Sequence, residues 1–342
     1  MGDRPESGIR PVPSFPERRR RHPPVQVLPE EHYRPRFPSS GRWFLASLSV
    51  MLEAVKPSTT QVLFIGTGAI GLPMAVRVAR AGHHVTAVDR SQDRRREAER
   101  KGLRTASAPT PADIAVVMVA SGDQLTHVVE DEGGLVHVLP RGSVCVVMST
   151  VGPDAVRAAT QKLTRHGIHV VDAPVTGGLE RAGRGELTIL AAGSANAMAL
   201  AADVLNAMGS VHPCGHEPGD GQSMKLVNQL LCSVHLVAAA EALAFAEALG
   251  LDPRDVHRAI STGAGASFMF SDRGSRMIAA EDSEDGITAL DIFVKDSALV
   301  RDAATGIGSD VPLLDVAADA FTRAATLGLG RSDDSRVRDV YK

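Results

Sequence analysis

Val62-Leu63-Phe64-Ile65-Gly66-Thr67-Gly68-Ala69-Ile70-Gly71 decides the fold of this chain. Four apolar residues make a run of buried-strand length, and glycines follow at once at 66, 68 and 71. A helical pattern continues from Leu72 to Ala81 and stops at Gly82. The next apolar run, Val85 to Val88, ends in Asp89. In such a strand–turn–helix unit the first glycine permits a tight turn. The second lets the backbone approach a pyrophosphate, and the third allows the helix to pack closely on the strand. The helix N-terminus offers unpaired N–H groups to phosphates. An acid roughly 20 residues on, at the end of the second strand, can bond a ribose 2′-hydroxyl. Gly66, Thr67, Gly68, Ala69, Ile70, Gly71 and Asp89 are therefore candidate dinucleotide-binding residues. Asp89 would repel a 2′-phosphate and favours NAD. Arg90 and the cluster Arg94 to Arg96 pull toward NADP, which stays open as the alternative.

Outward from this unit the alternation continues. Strand-like runs recur at Ile114 to Val119, Val144 to Met148, Ile168 to Val171 and Leu187 to Ala192, with helix-like segments between. Alternating strands and helices imply a parallel sheet covered on both faces, a Rossmann-type arrangement. Beyond about Gly221 strand signals stop. Ser223 to Leu249 contains neither Pro nor Gly and reads as one long helix, with Asp252-Pro253 opening the next. The rest is helical in pattern, and Gly263 to Gly265 reads as a helix-breaking turn. The expected organisation is an N-terminal extension over 1–58, an α/β dinucleotide-binding domain over 59–220 and an all-helical domain over 221–342. A long apolar helix joins the two domains and is expected to be buried between them or against a second copy.

The extension has nine prolines in its first 40 residues and the run Arg18 to Arg21. Such a stretch buries too little apolar surface to offset its ordering entropy and reads as disordered. It is either a dispensable tail or the result of a mis-assigned start, with Met51 as the initiator. Trp43 to Leu48 faintly suggests a targeting segment, but it lies far from Met1, and Glu17, Glu30 and Glu31 do not suit a transit peptide. The whole chain has 342 residues, a net charge of −3, 44% hydrophobic and 4% aromatic residues. Near-neutral charge argues against a nucleic-acid partner. No uninterrupted apolar run reaches about 18 residues, which argues against a membrane span. Cys145, Cys214 and Cys232 are too few and scattered for a disulfide framework, so a cytoplasmic location is expected. His212, Cys214 and His216 are close in sequence, but no partner pair completes a zinc set, and they read as a loop. Asp282, Glu284 and Asp285 read as a solvated loop.

From about Gln61 to Lys342 several motifs resemble the β-hydroxyacid dehydrogenase (3-hydroxyisobutyrate dehydrogenase-like) family. The glycine loop continues as Gly71-Leu72-Pro73-Met74-Ala75, with Ala81-Gly82-His83 closing the helix. Asp172-Ala173-Pro174-Val175-Thr176-Gly177-Gly178 is similar to the family's substrate-binding signature, with threonine in place of its usual serine. Gly219 to Gln229 resembles the catalytic helix, and Asp291-Ile292-Phe293-Val294-Lys295-Asp296 the segment whose lysine reaches the cofactor. The resemblance implies that Thr176, Gly177 and Gly178 bind the substrate carboxylate. It also implies that Lys225 is catalytic with Asn228 and Gln229, and that Met118, Val119, Ser149 and Lys295 line the cofactor. At i, i+3 and i+4, Lys225, Asn228 and Gln229 share one helix face, an arrangement that packing alone does not explain. Finer likeness at Asn228 to Leu231, Ala238 to Ala242 and Ser267 to Phe270 resembles the L-threonate dehydrogenase branch. That branch commonly has tryptophan where Phe268 stands.

The implied activity is NAD(P)-dependent oxidation of a small 2- or 3-hydroxy acid by a homodimer or homotetramer, with no metal. The alternatives are a reductase of tartronate-semialdehyde or 3-hydroxyisobutyrate type, and a catalytically silent dinucleotide-binding module. Silent and imine-reducing relatives lack the lysine that Lys225 retains.

Overall fold

The computed structural model describes residues 59–279 and 288–341. The readings of the extension, of Met51 and of Asp282, Glu284 and Asp285 fall outside that range. The strands are β1 (Gln61–Ile65), β2 (His84–Val88), β3 (Arg104–Ala106), β4 (Ile114–Val117), β5 (Val144–Val147), β6 (His169–Asp172), β7 (Val175–Thr176), β8 (Leu187–Ala192) and β9 (Gly209–Gly215). Helices α1 (Gly71–Arg80), α2 (Gln92–Arg100), α3 (Gly122–Glu130), α4 (Leu135–Val138), α5 (Pro153–Arg165), α6 (Gly178–Arg184) and α7 (Ala195–Asn206) alternate with them. Then come α8 (Asp220–Ala248), α9 (Pro253–Ile260), α10 (Phe268–Ala279), α11 (Asp291–Ile307), α12 (Pro312–Ala324) and a terminal 3-10 segment, Asp334–Tyr341.

Among the described residues the sheet runs β3-β2-β1-β4-β5-β6-β8-β7, with β9 beside β8. Its first six strands are mutually parallel, in the doubly wound order that binds dinucleotides. Alternation along β1 shows why both faces are covered. Val62 and Phe64 pack with Leu72, Met74 and Val78 of α1. Leu63 and Ile65 pack on the other side with Leu125 of α3 and Val156 and Leu163 of α5. The sheet is not wholly parallel, because β8 runs antiparallel to β6 and β7. The segment read as a loop around His212 and Cys214 is strand β9, pairing parallel with β8. It is polar, contains Pro213 and is largely exposed, the mark of an edge strand rather than a buried run.

Beyond β9 the regular elements among the described residues are helices, apart from an isolated bridge between Ala289 and Asp333. Leu236, Ala240 and Leu243 of α8 share a core with Phe270 and Met277 of α10, Phe293 of α11, Phe321 of α12 and Val337. Helix α8 is long and apolar enough to cross a membrane. Here it is the spine of the helical core, and its buried residues include Gln222, Lys225, Gln229 and Ser233. It begins three residues before the expected Ser223, for a reason that lies in a different part of the chain.

Candidate active site

The glycine turn is shaped by backbone crowding. Gly66 has φ +92°, and a Cβ on it would lie 2.1 Å from the Met118 carbonyl oxygen. A Cβ on Gly71 would lie 2.1 Å from the Gly66 oxygen, so α1 closes directly onto the end of β1. A Cβ on Gly68 would meet only the tip of the Arg94 side chain, 2.6 Å away. Two glycines are thus consumed by packing, and the third is covered only by the movable end of Arg94. These residues fit a dinucleotide. The Asp89 carboxylate accepts bonds from Thr67 N (3.0 Å), Thr67 Oγ1 (3.1 Å) and Ser91 N (2.9 Å). It therefore ties the loop to the end of β2. Arg95 donates to the Asp89 and Arg90 carbonyls, and exposed Arg90 pairs with Asp131 at 3.6 Å. Among the described residues the Arg94 side chain has no hydrogen-bond partner.

Next to the loop, β4 stops at Val117, two residues before the expected Val119, where the Val119 N–H leaves the strand ladder for a side chain. Val119 N donates to Ser149 Oγ at 2.7 Å, and Ser149 Oγ donates to Val117 O at 3.3 Å. Ser149 is fully buried, so its hydroxyl holds these two strand ends together. Met118 and Val119 remain partly exposed beside them.

The helical half brings a polar chain to the same sheet edge. Lys225 is 6% exposed, and among the described residues its Nζ makes no hydrogen bond. One turn on, Gln229 Nε2 donates to Asp296 Oδ2 of α11 at 2.5 Å. Asp296 is 2% exposed. Its Oδ1 lies 2.7 Å from Lys295 Nζ, an ion pair without hydrogen-bond geometry. Lys295 Nζ donates to the Thr150 carbonyl at 2.7 Å, joining α11 to the loop after β5. Asn228 Nδ2 donates to Gln229 Oε1 at 2.8 Å and reaches Cys232 Sγ at 3.5 Å. Burial holds the Lys225 ammonium below the usual lysine range. Asp296 and Cys232 oppose that shift, and Lys295 adds to it.

Thr176 ends β7 and pairs with Thr188. Gly177 and Gly178 follow with φ +135° and +73°, a backbone that favours glycine; a Cβ on Gly177 would press on the Arg181 and Leu187 side chains, whereas Gly178 faces open space. The segment is anchored by its first residue. Fully buried Asp172 accepts from Gly219 N, Gln222 N and Gln222 Nε2, each at 2.8 Å. The signature around Thr176, the Lys225 helix, the Lys295 segment and the end of β5 are therefore four stretches joined by side-chain bonds. Asp172, Gln222, Thr150 and Asp296 carry those joints, and sequence reading assigned none of them. A polar stripe at 222, 225 and 229 in an otherwise apolar helix was the available signal for Gln222. His212 is exposed on β9, and Cys214 is half-buried on the same strand.

Two family models account for the chain: the NAD-binding domain of 6-phosphogluconate dehydrogenase matches residues 61–216, and the NAD-binding domain of NADP-dependent 3-hydroxyisobutyrate dehydrogenase matches 219–341. An L-threonate dehydrogenase of Cupriavidus necator is 36% identical over 282 residues, 81% of this chain and 94% of that protein. The mitochondrial 3-hydroxyisobutyrate dehydrogenase of Rattus norvegicus is 28% identical, over 88% of this chain and 93% of that protein. The crystal structure of a 3-hydroxyisobutyrate dehydrogenase from Salmonella typhimurium superposes with a TM-score of 0.75 at 31% identity, covering 82% of this chain and 99% of that one. The fold and these likenesses agree: the chain belongs to the β-hydroxyacid dehydrogenase (3-hydroxyisobutyrate dehydrogenase-like) family and is a nicotinamide-dinucleotide-dependent hydroxy-acid dehydrogenase.

Proposed function

We propose that this dehydrogenase reversibly oxidises L-threonate or a closely similar small hydroxy acid, with Lys225 handling the hydroxyl proton. The observation that carries the reading is a buried lysine with no hydrogen-bond partner among the described residues, one helical turn from Gln229, whose polar chain through Asp296 and Lys295 reaches the loop after β5. A lysine in that setting is pulled toward the neutral form that a general base needs. The bound dinucleotide would accept the hydride. Lys225 Nζ would take the proton of the substrate hydroxyl in oxidation and return it in reduction. Thr176 and the backbone of Gly177 and Gly178 would bind the carboxylate. Asn228 Oδ1 has no hydrogen-bond partner among the described residues and is available to a substrate hydroxyl, while Gln229 is held by Asp296 and fixes the helix face. Gly66 to Gly71, Asp89, Met118, Val119 and Lys295 would line the cofactor, with fully buried Ser149 supporting Val119 from behind instead of lining it directly. Asp89 supports NAD, and Arg90 with the unpartnered Arg94 side chain keeps NADP as the second cofactor.

The names of the relatives support two substrate readings, L-threonate and 3-hydroxyisobutyrate. A silent binding module is disfavoured because Lys225 is present. A homodimer or homotetramer is part of the proposal, supported by exposed Met224, Val227 and Leu231 along one side of α8, and static light scattering reads it. A cytoplasmic location is also part of it, and the free thiols of Cys145, Cys214 and Cys232 are consistent with that.

The test follows absorbance at the reduced-nicotinamide band with NAD and L-threonate, 3-hydroxyisobutyrate or glycerate, for wild type and Lys225→Ala. Turnover of L-threonate that vanishes in the variant is the expected result. Turnover of a different acid alone replaces the substrate, and an active Lys225→Ala removes Lys225 from the mechanism.

A further inference from the structure

Asp172 and Gln222 are two fully buried polar side chains that have no role in the mechanism above. Gln222 Oε1 accepts from Val151 N at 3.0 Å and Gly152 N at 3.1 Å. Its Nε2 donates to Ser149 O at 3.0 Å and Asp172 Oδ1 at 2.8 Å. One amide thus grips both sides of the loop after β5, while Lys295 holds the Thr150 carbonyl in its middle. Asp172 Oδ2 accepts from Gly219 N and Gln222 N in the first turn of α8. Gly219, at the start of that helix, provides no side-chain cap. A carboxylate from the end of β6 serves instead as a remote N-cap, at the end of the helix where a negative charge is favoured. Gly221 completes the socket. A Cβ there would come within 2.5 Å of Leu190 O and 2.9 Å of Asp172 O, so the first turn rests directly on the ends of β8 and β6.

Gln222 and Lys225 are at i and i+3 and share a face of α8. The clamp therefore fixes the axial and rotational register of the lysine against the sheet edge. We propose that Asp172 and Gln222 are positioning residues that hold Lys225 at the distance and angle its proton transfer needs. The proposal rests on the assignment of Lys225 as the proton-handling group. Misplacement by a fraction of an ångström lowers the chemical step while leaving dinucleotide and substrate binding nearly intact.

The experiment compares wild type with Gln222→Glu, Asp172→Asn, their double variant and Gly221→Ala. The substrate is whichever of L-threonate, 3-hydroxyisobutyrate and glycerate the wild type turns over fastest, with and without deuterium at the carbinol carbon. Dinucleotide Kd is measured by titration calorimetry and folding by thermal melting. The expected result is a kcat reduced roughly 10- to 100-fold with KM and Kd within about threefold. The primary isotope effect on kcat should rise. The double variant should regain part of the loss, because the amide introduced by Asp172→Asn can donate where Gln222 did. Gly221→Ala removes no hydrogen-bonding group and lifts the first turn from its socket, so it should lose kcat in the same way.

A merely structural role gives a different pattern. A partly unfolded sample loses apparent kcat with an unchanged isotope effect and KM, and that pattern overturns the proposal. Full kcat in folded Gln222→Glu or Gly221→Ala overturns it too. If the Asp172 and Gln222 variants do not fold, Gly221→Ala decides alone by its isotope effect. A wild type silent on all three acids sinks the Lys225 reading and this proposal with it, whereas an active wild type with unaffected variants sinks the positioning role alone.

Discussion

Lys225 shows how a single side chain can be costly to the fold and useful to the reaction. Its side chain is buried, and the carboxylate that acts on it, Asp296, is already engaged by Gln229 and Lys295. Burial lowers its pKa from the ordinary 10.5, and Asp296 works against that shift. In the oxidation direction kcat/KM should therefore rise with pH and level off below the ordinary lysine range. Asp296→Asn removes the opposing anion, so the inflection should move to lower pH; an unmoved or raised inflection would show that a different group titrates. Linkage fixes the sign for stability. The unfolded chain holds this proton more tightly than the folded one, so the contribution of Lys225 to stability improves as pH rises from its folded pKa toward 10.5. Near neutrality the group is a burden. Lys225→Met should lose at least about 100-fold in kcat and gain about 1 kcal/mol of stability, roughly 2–4 °C in Tm. A melt at pH 7 in which the variant is less stable would mean that the ammonium is well solvated or paired.

The turn between β1 and α1 separates two uses of glycine, and the two uses predict different phenotypes. Gly66 is at φ +92° with a carbonyl against its missing Cβ, so Gly66→Ala should cost about 3 kcal/mol and show it in urea unfolding. Gly68 faces only the movable end of Arg94. Gly68→Ala should fold within about 1 kcal/mol of wild type but bind NAD at least about tenfold more weakly by calorimetry. Equal damage to folding in both would remove the distinction. The strands and helices that were legible in the sequence are those whose cause is local, such as the Val62–Ile65 run, the glycine spacing and the Asp252-Pro253 cap, where Asp252 accepts from Arg254 N at 2.8 Å. Strand β9 was not legible, because Gly209 to Gly215 has no apolar run and owes its form to pairing with β8. The start of α8 was not legible either. Its cap is Asp172, and a bond spanning 50 residues leaves no local trace. The same holds for the site: Lys225, Asn228 and Gln229 stood out as a polar face, whereas nothing local marked Asp296 as the buried partner of Gln229.

At the scale of the molecule, the helical half is closed by the last stretch of the chain. Asp334–Tyr341 packs under α8, α10 and α12 through fully buried Val337. Its polar residues are as deeply placed. Asp334 is fully buried and accepts from Arg273 Nε at 3.0 and 3.1 Å. Arg273 also pairs with Asp272, and Arg276 reaches both Asp272 and Asp333. Arg338 donates to the Met277 carbonyl at 2.7 Å and pairs with Glu247 of α8. Asp334, Arg338 and Arg273 lost most of their hydration on folding and depend on partners, so the closure is strong only while the set is complete. Asp334→Ala leaves the largely buried Arg273 guanidinium with the Asp272 carboxylate and a long bond to Thr288 Oγ1. It should destabilise the protein by about 3 kcal/mol, the lower end for breaking a buried pair because Asp272 remains. Replacing both members, Asp334→Leu with Arg273→Met, exchanges the pair for apolar packing and should recover much of that loss. Urea unfolding of the two variants beside wild type makes the comparison. A double variant no more stable than Asp334→Ala would show that the pair contributes through its hydrogen bonds rather than by sparing the fold an unpaired charge.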